Sequence, residues 1–267
     1  MNATTKLSAA LPIPQKATGS HFYKYSEFTG EKREWLKNII LENRIYVPRL
    51  SQLNDPADGR PKLKGMSGDE WFDFLFQESV LTRTPQLSVE DQIKEGLILD
   101  YNIKHHGTDV MLRGTVRSLH EELDDWRIYC LCKRSNNMSM WAKYAGNHAG
   151  YCLEFANTGL FFGAAKEVTY GDPVAVDIRI REQMDGRWFF CKTQEWSGEE
   201  EIRVLVLRRM PPEQLIEPEW LTRLILGRKM PEADRAEIRA WAKQRSPELK
   251  VVEASWDDVA HVLRIGN

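Results

Sequence analysis

The chain has 267 residues, a formal net charge of -2, 42% hydrophobic and 28% charged residues. That is an ordinary globular composition, and its near-zero charge argues against a phosphate-driven nucleic-acid footprint spread over the whole chain. No run of about 18 apolar residues is present, so no membrane-spanning helix and no membrane partner are expected. Four cysteines, Cys130, Cys132, Cys152 and Cys191, stand in apolar surroundings without disulfide or zinc spacing. They read as reduced core thiols of a cytoplasmic protein, with no metal expected. Residues 1–20 lack the apolar centre of a signal peptide and read as a loose arm rich in Ala, Ser, Thr and Pro. Residues 21–267 are expected to form a single α+β domain.

Taken in order, His21 to Tyr25 alternates aromatic and polar side chains and predicts a first strand. Thr29 is the expected N-cap of a helix over 32–43, with Trp35, Leu36, Ile39 and Ile40 as its buried stripe. Arg44 to Pro48 is a short strand, and Leu53-Asn-Asp-Pro56 reads as a turn. Ser67 followed by Glu70 is a capping box that opens a helix. Ser88 opens a second helix, with Ile93, Leu97, Ile98 and Tyr101 as its apolar face. A third carries Leu112, Val116, Leu119 and Leu123. Residues 67–124 therefore predict a helical insert. Arg127 to Cys132 and Tyr151 to Phe155 are buried strands, with a short helix or turn over 139–144 between them. A helix is slightly favoured over 176–192. Leu221 to Leu226, a helix over 232–244 and Leu249 to Glu253 make a strand-helix-strand unit. Trp256 to Asp258 is a turn, followed by a last strand near His261 to Arg264. The whole predicts an α+β fold around a central mixed or split β-sheet.

The stretch Trp196-Ser-Gly-Glu-Glu-Glu-Ile-Arg-Val-Leu-Val-Leu207 is the strongest chemical signal. Strand alternation puts Glu199, Glu201 and Arg203 on one face, at the rim of the sheet. Glu201 is expected to be partly buried, to point into a cleft, and to contribute little to stability as a rim carboxylate. Phosphate loops, zinc-binding helices and nucleophile elbows are missing from the sequence. Two carboxylates on one face can stabilise an oxocarbenium-like transition state and polarise a hydroxyl. Tyr23, Tyr25, Trp141 and Tyr144 could hold a flat ring.

The set Tyr23-Lys-Tyr25, Leu53-Asn-Asp-Pro56, Met140-Trp-Ala-x-Tyr144, Gly150-Tyr-Cys-Leu-Glu-Phe155, Lys192, Trp196-x-x-Glu-x-Glu-x-Arg203 and Ile225-Leu-Gly227 resembles a bacterial family catalogued as domain of unknown function 2971. It departs where that family has Phe-Ser after the strand cysteine. Here Lys133 follows Cys132, so Ser135 or Ser139 would have to replace that serine. More remotely, the order of Tyr, Ser/Trp/Tyr and Glu-x-Glu is similar to the site plan of ADP-ribosyltransferases. That likeness implies Glu201 as the catalytic carboxylate and Glu199 as the residue that steers the nucleophile. It also implies NAD as substrate, held by Tyr23, Tyr25, Asn54, Asp55, Ser139, Trp141, Tyr144 and Arg203. The expected function is NAD cleavage, as a transferase or glycohydrolase of bacterial defence or toxin type. A small nucleotide is the expected partner, and a protein or nucleic-acid acceptor stays open. The alternative is a non-enzymatic or nucleic-acid-directed accessory protein of a defence or stress system, with the charged triad as a structural network. A carboxylate-pair hydrolase acting on a sugar or nucleotide is a third reading.

Overall fold

The computed structural model describes residues 11–172 and 174–266. It is a mixed α/β structure whose contacts divide it into two compact units. The larger unit holds residues 12–59, 125–172 and 189–266. The smaller holds the helical stretch from residue 60 to 124 and most of the segment before Phe189.

The larger unit is built on an eight-stranded sheet. In chain order its strands are β1 (His21–Ser26), β2 (Arg127–Cys132), β3 (Tyr151–Ala156), β4 (Lys166–Glu167), β5 (Glu201–Val206), β6 (Leu221–Leu226), β7 (Lys250–Asp257) and β8 (Val262–Ile265). Across the sheet the order is β8-β7-β6-β3-β1-β2-β5-β4. Within this sheet, only β6 and β7 run parallel among the described residues. That follows from the helix between them, Glu232–Gln244, because a parallel pair needs a crossover. The expected strand-helix-strand unit is therefore in place. β7 runs on through Trp256, however, where a turn is expected, and pairs Trp256 with Leu263.

Both faces of the sheet are covered. On one, Phe22, Tyr129, Leu131, Leu153, Ile202 and Val204 pack with Leu36, Ile39 and Ile40 of α1 (Glu31–Glu42) and Ile238 and Trp241 of the helix Glu232–Gln244. On the other, Tyr25, Cys132, Cys152 and Ile225 pack with Met140 and Trp141 of a short helix, Met138–Lys143. Both expected central strands, β2 and β3, are nearly all buried.

Local punctuation differs from expectation at α1. The first-turn cap of α1 is Gly30 at φ 50°, without a side-chain hydrogen bond, so Thr29 does not cap it. Trp35 of α1 stands outside the buried stripe, 37% exposed. Its last turn ends under Arg245, which donates to Ile39 O at 3.2 Å and Ile40 O at 2.7 Å. A buried guanidinium thus satisfies carbonyls that no helical amide can reach.

Part of the expected N-terminal arm belongs to this unit. Residues 1–10 lie outside the described residues, but Lys16 bridges Lys166 and Ala17 is buried in the core. In the smaller unit, the Ser67 capping box forms, with Glu70 N donating to Ser67 Oγ at 3.3 Å and Ser67 N to Glu70 Oε2 at 2.8 Å. The Ser88 helix, Val89–His106, forms as expected, but the face chosen for burial is turned out. Ile93, Leu97, Ile98 and Tyr101 are more than half exposed, whereas Ile103 packs with Met66 and Trp71. The period was readable; the side that meets neighbours was not. No helix spans 176–192: Ala175–Val176 is a short strand, 181–183 and 187–190 are single 3-10 turns, and Cys191–Lys192 is again a strand.

Gly227, just past β6, sits against the loop before β3. Its amide donates to Gly150 O at 2.8 Å, and a Cβ there would lie 2.2 Å from His148 O and 2.6 Å from Gly150 O. Both obstacles are backbone, so no rotamer change relieves them. Gly227→Ala should cost about 1–3 kcal/mol, the usual range for overpacking. Thermal unfolding would register that as a drop of several degrees, and an unchanged melting temperature would mean the two backbones separate freely.

Candidate functional site

The sheet does not hold together evenly. β1 pairs with β3 from His21↔Ala156 to Ser26↔Tyr151, but with β2 only at Tyr23↔Cys132. Beyond that position β1 and β2 part. A cavity of about 330 Å³ lies at the parting, wholly within the larger unit. Its walls include Lys24, Tyr144, Lys192, Glu199 and Glu201, with Trp35 and Tyr46 at the α1 side.

Glu201 opens β5 and is directed by two backbone contacts. It pairs with Cys132 across the sheet, and its amide donates to the Tyr170 hydroxyl at 2.7 Å. Arg203, two residues on, shares its face as alternation requires. Arg203 is wholly buried and chelates Glu201, Nε to Oε1 at 2.8 Å and Nη2 to Oε2 at 2.9 Å. It also reaches Asp58, Nη2 to Oδ2 at 2.8 Å, and donates from Nη1 to Phe189 O at 2.7 Å. Lys192 completes the array. Its Nζ lies 2.9 Å from Glu199 Oε2, 3.2 Å from Glu201 Oε2 and 3.4 Å from Asp58 Oδ2. The same ammonium sits 4.4 Å above the Trp196 ring.

Glu199 arrives by a different route from the one alternation predicts. It ends a 3-10 helix, Gln194–Glu199, and Glu200 follows in the left-handed region at φ 48°. That reversal, not strand pleating, turns Glu199 towards Lys192. Its other oxygen accepts from the Tyr144 hydroxyl at 2.6 Å, and Asn54 Nδ2 donates to that hydroxyl at 3.1 Å.

Charge sets the character of this cluster. Three buried carboxylates, Asp58, Glu199 and Glu201, surround two buried cations, Lys192 and Arg203. The half-exposed Lys143, at 3.7 Å from Glu199 Oε1, brings the formal charges of the array into balance. Burial alone would raise the Glu201 pKa, but Arg203 and then Lys192 hold it down to about 2. Burial likewise opposes the Lys192 charge, and Glu201, Asp58 and Glu199 keep its pKa above the usual lysine value. Tyr144 is pushed up by burial and by the hydrogen bond to Glu199, so it remains a donor. The pocket therefore presents carboxylate oxygens held in place by buried cations, with acceptor capacity to spare. A carboxylate oxygen accepts two hydrogen bonds, and Glu201 Oε1 and both Glu199 oxygens each have one direct bonding partner.

The other expected site residues are scattered. Tyr23 lines the cavity, but its hydroxyl is engaged by Glu154; burial and then that carboxylate raise its pKa to about 12. Tyr25 and Trp141 pack edge to face at 5.3 Å in the second core, and both spend their polar atoms on backbone: Tyr25 on Arg134 O, Trp141 on Ser135 O. Tyr25 still lines the cavity, whereas Trp141 does not. Asp55 closes a local turn, accepting from Ala57 N at 2.9 Å, and Ser139 lies beside Gly198. Arg203 is a buried counter-charge beneath the cavity, not part of its lining. Sequence reasoning gave no role to Asp58 and Lys24. A turn aspartate and a strand lysine carry no signal of burial until the sheet is assembled.

The expectation of a rim carboxylate is corrected: Glu201 is 3% exposed. Comparison of the chain with family models, with curated proteins and with solved structures finds no match in any of the three.

Stability should therefore depend on Glu201 and on pH. The carboxyl is depressed when folded, so its contribution is complete above the ordinary value of 4.5 and is lost as pH falls towards about 2. Glu201→Gln leaves Arg203 and Lys192 under-compensated and should cost on the order of 3 kcal/mol at pH 7. Denaturant unfolding of both forms between pH 7 and 2 checks this: the gap should narrow on acidification. A gap that is absent or constant with pH would mean the carboxylate is not held as described.

Proposed function

We propose that the cavity between β1 and β2 is an N-ribosyl-cleaving site, with NAD or a related nicotinamide nucleotide as substrate. The observation that carries this is the pair of preorganised carboxylates, Glu199 and Glu201, lining one partly open cavity. Cleavage of a nicotinamide–ribose bond builds positive charge on the ribosyl carbon, and a preorganised negative potential lowers that barrier more than it stabilises the ground state. Glu201, clamped by Arg203, supplies the fixed potential and one free acceptor position for a ribose hydroxyl. Glu199, shared between Tyr144 and Lys192, is the carboxylate placed to orient a water or an acceptor hydroxyl. Whether transfer or hydrolysis follows depends on what reaches Glu199. The remote similarity of the Glu-x-Glu stretch to ADP-ribosyltransferases supports the same reading, and the resemblance to the bacterial family of unknown function is compatible with it.

One observation favours the accessory-protein reading. Arg203 is wholly buried and satisfied by two carboxylates and a carbonyl, which is how a structural ion network is built. The two readings separate in one experiment. Purified protein is incubated with NAD, and nicotinamide release is followed for wild type, Glu199→Gln and Tyr144→Phe. Glu199→Gln should reduce the rate by about 10²-fold. Its melting temperature should stay near wild type, because Lys192 retains Asp58 and Glu201. Tyr144→Phe should fall between them. A wild type that releases no nicotinamide hands the site to the structural reading.

A further inference from the structure

Three lysines line the cavity, and they are not equivalent. Lys32 pairs with Glu27 at 3.2 Å. Lys192 has three carboxylates within 3.4 Å. Lys24 has no carboxylate within 4.0 Å among the described residues. Its Nζ donates to Cys130 O at 2.9 Å, at the level where β1 and β2 have parted, and lies 4.9 Å from the Tyr129 ring centre. One ammonium thus stands in the split held by a carbonyl and an aromatic face rather than by a carboxylate.

We propose that Lys24 is the anion subsite of this cavity and takes the phosphate of a mononucleotide whose ribosyl carbon faces Glu199 and Glu201. The proposal rests on reading the cavity as a nucleotide site and names the part of the ligand that reading leaves open. Charge is distributed along the cavity: carboxylates at the β5 end, an ammonium without a directly paired carboxylate at the split. A cationic ring joined through ribose to a phosphate has the complementary order. Burial disfavours the Lys24 ammonium and lowers its pKa, with Glu201 acting the other way. A bound phosphate would supply at contact distance the counter-charge that no described carboxylate supplies within 4.0 Å. Trp35 and Tyr46, stacked at 5.3 Å with 13° between their planes, wall the α1 side with apolar surface. The volume of about 330 Å³ is near the lower end for ligand sites, which suits a mononucleotide portion better than a whole dinucleotide.

The test compares nicotinamide mononucleotide with nicotinamide riboside, which lacks only the phosphate. Binding is read from tryptophan fluorescence for wild type, Lys24→Met and Lys24→Arg, with inorganic pyrophosphate as competitor. Wild type should bind the mononucleotide about tenfold or more tighter than the riboside, the value of one charge-assisted hydrogen bond. Lys24→Met keeps the aliphatic stem and should erase that difference while leaving riboside affinity unchanged. Lys24→Arg should keep part of it, and pyrophosphate should displace the mononucleotide from wild type. Equal affinities in wild type, a difference that survives in Lys24→Met, or no saturable binding of the mononucleotide overturns the proposal. Phosphate-dependent binding without nicotinamide release would keep the subsite and remove the cleavage reading. Nicotinamide release with equal affinities would do the reverse.

Discussion

A fully buried guanidinium has five donors that water cannot reach, and the larger unit is arranged to satisfy those of Arg203. Glu201 comes from the same strand, Asp58 from the turn that follows the 3-10 turn Leu50–Gln52, and the Phe189 carbonyl from the segment leading into Lys192. Three stretches distant in sequence are thus fixed against one planar group. Planarity matters, because a bidentate pair sets orientation as well as distance, which a lysine in that place would not. The same constraint orders Lys192, whose ammonium bridges the Arg203 array to Glu199.

Arginine does this elsewhere in the unit, each time for irregular backbone. Arg127 donates to Val47 O, Arg235 to Met230 O and Gly227 O, and Arg245 to the last turn of α1 and to Pro218 O. All three are buried. A chain with many single 3-10 turns and short strands leaves carbonyls without ladder partners, and each unmet carbonyl is costly in the interior. Long basic side chains reaching inward let an irregular chain keep a closed core.

This bears on how much was legible beforehand. β2 and β3 were readable because a continuous apolar run leaves few alternatives, and the Ser67 box because its two hydrogen bonds are local. Glu201 and Arg203 were readable as a same-face pair because alternation is local too. What failed depends on partners far along the chain. The face of Val89–His106 is chosen by what packs on it, not by its period. Glu199 is placed by a left-handed Glu200, a conformation glutamate gives no reason to expect. The 176–192 stretch has enough apolar residues for a helix, yet short strands pair it with residues more than twenty positions away. Asp58 and Lys24 gain meaning only once the split between β1 and β2 exists.

The asymmetry between Glu199 and Glu201 follows from the same geometry. Two carboxylates near one cavity cannot both be rigid and both be adaptable. Glu201 has its charge locked by a bidentate partner at the same strand spacing, so moving it would unseat Arg203 from Asp58 and Phe189 as well. Glu199 is tied by one phenol and one shared ammonium, and its backbone lies in a turn outside the ladder. Lys192 has two other carboxylates to fall back on when Glu199 turns. Any chemistry that needs a carboxylate to exchange partners during a reaction therefore falls to Glu199, and any that needs a potential that does not relax falls to Glu201. The strand supplies the second and the 3-10 turn the first, which is why the Glu-x-Glu spacing is met here by two different kinds of backbone.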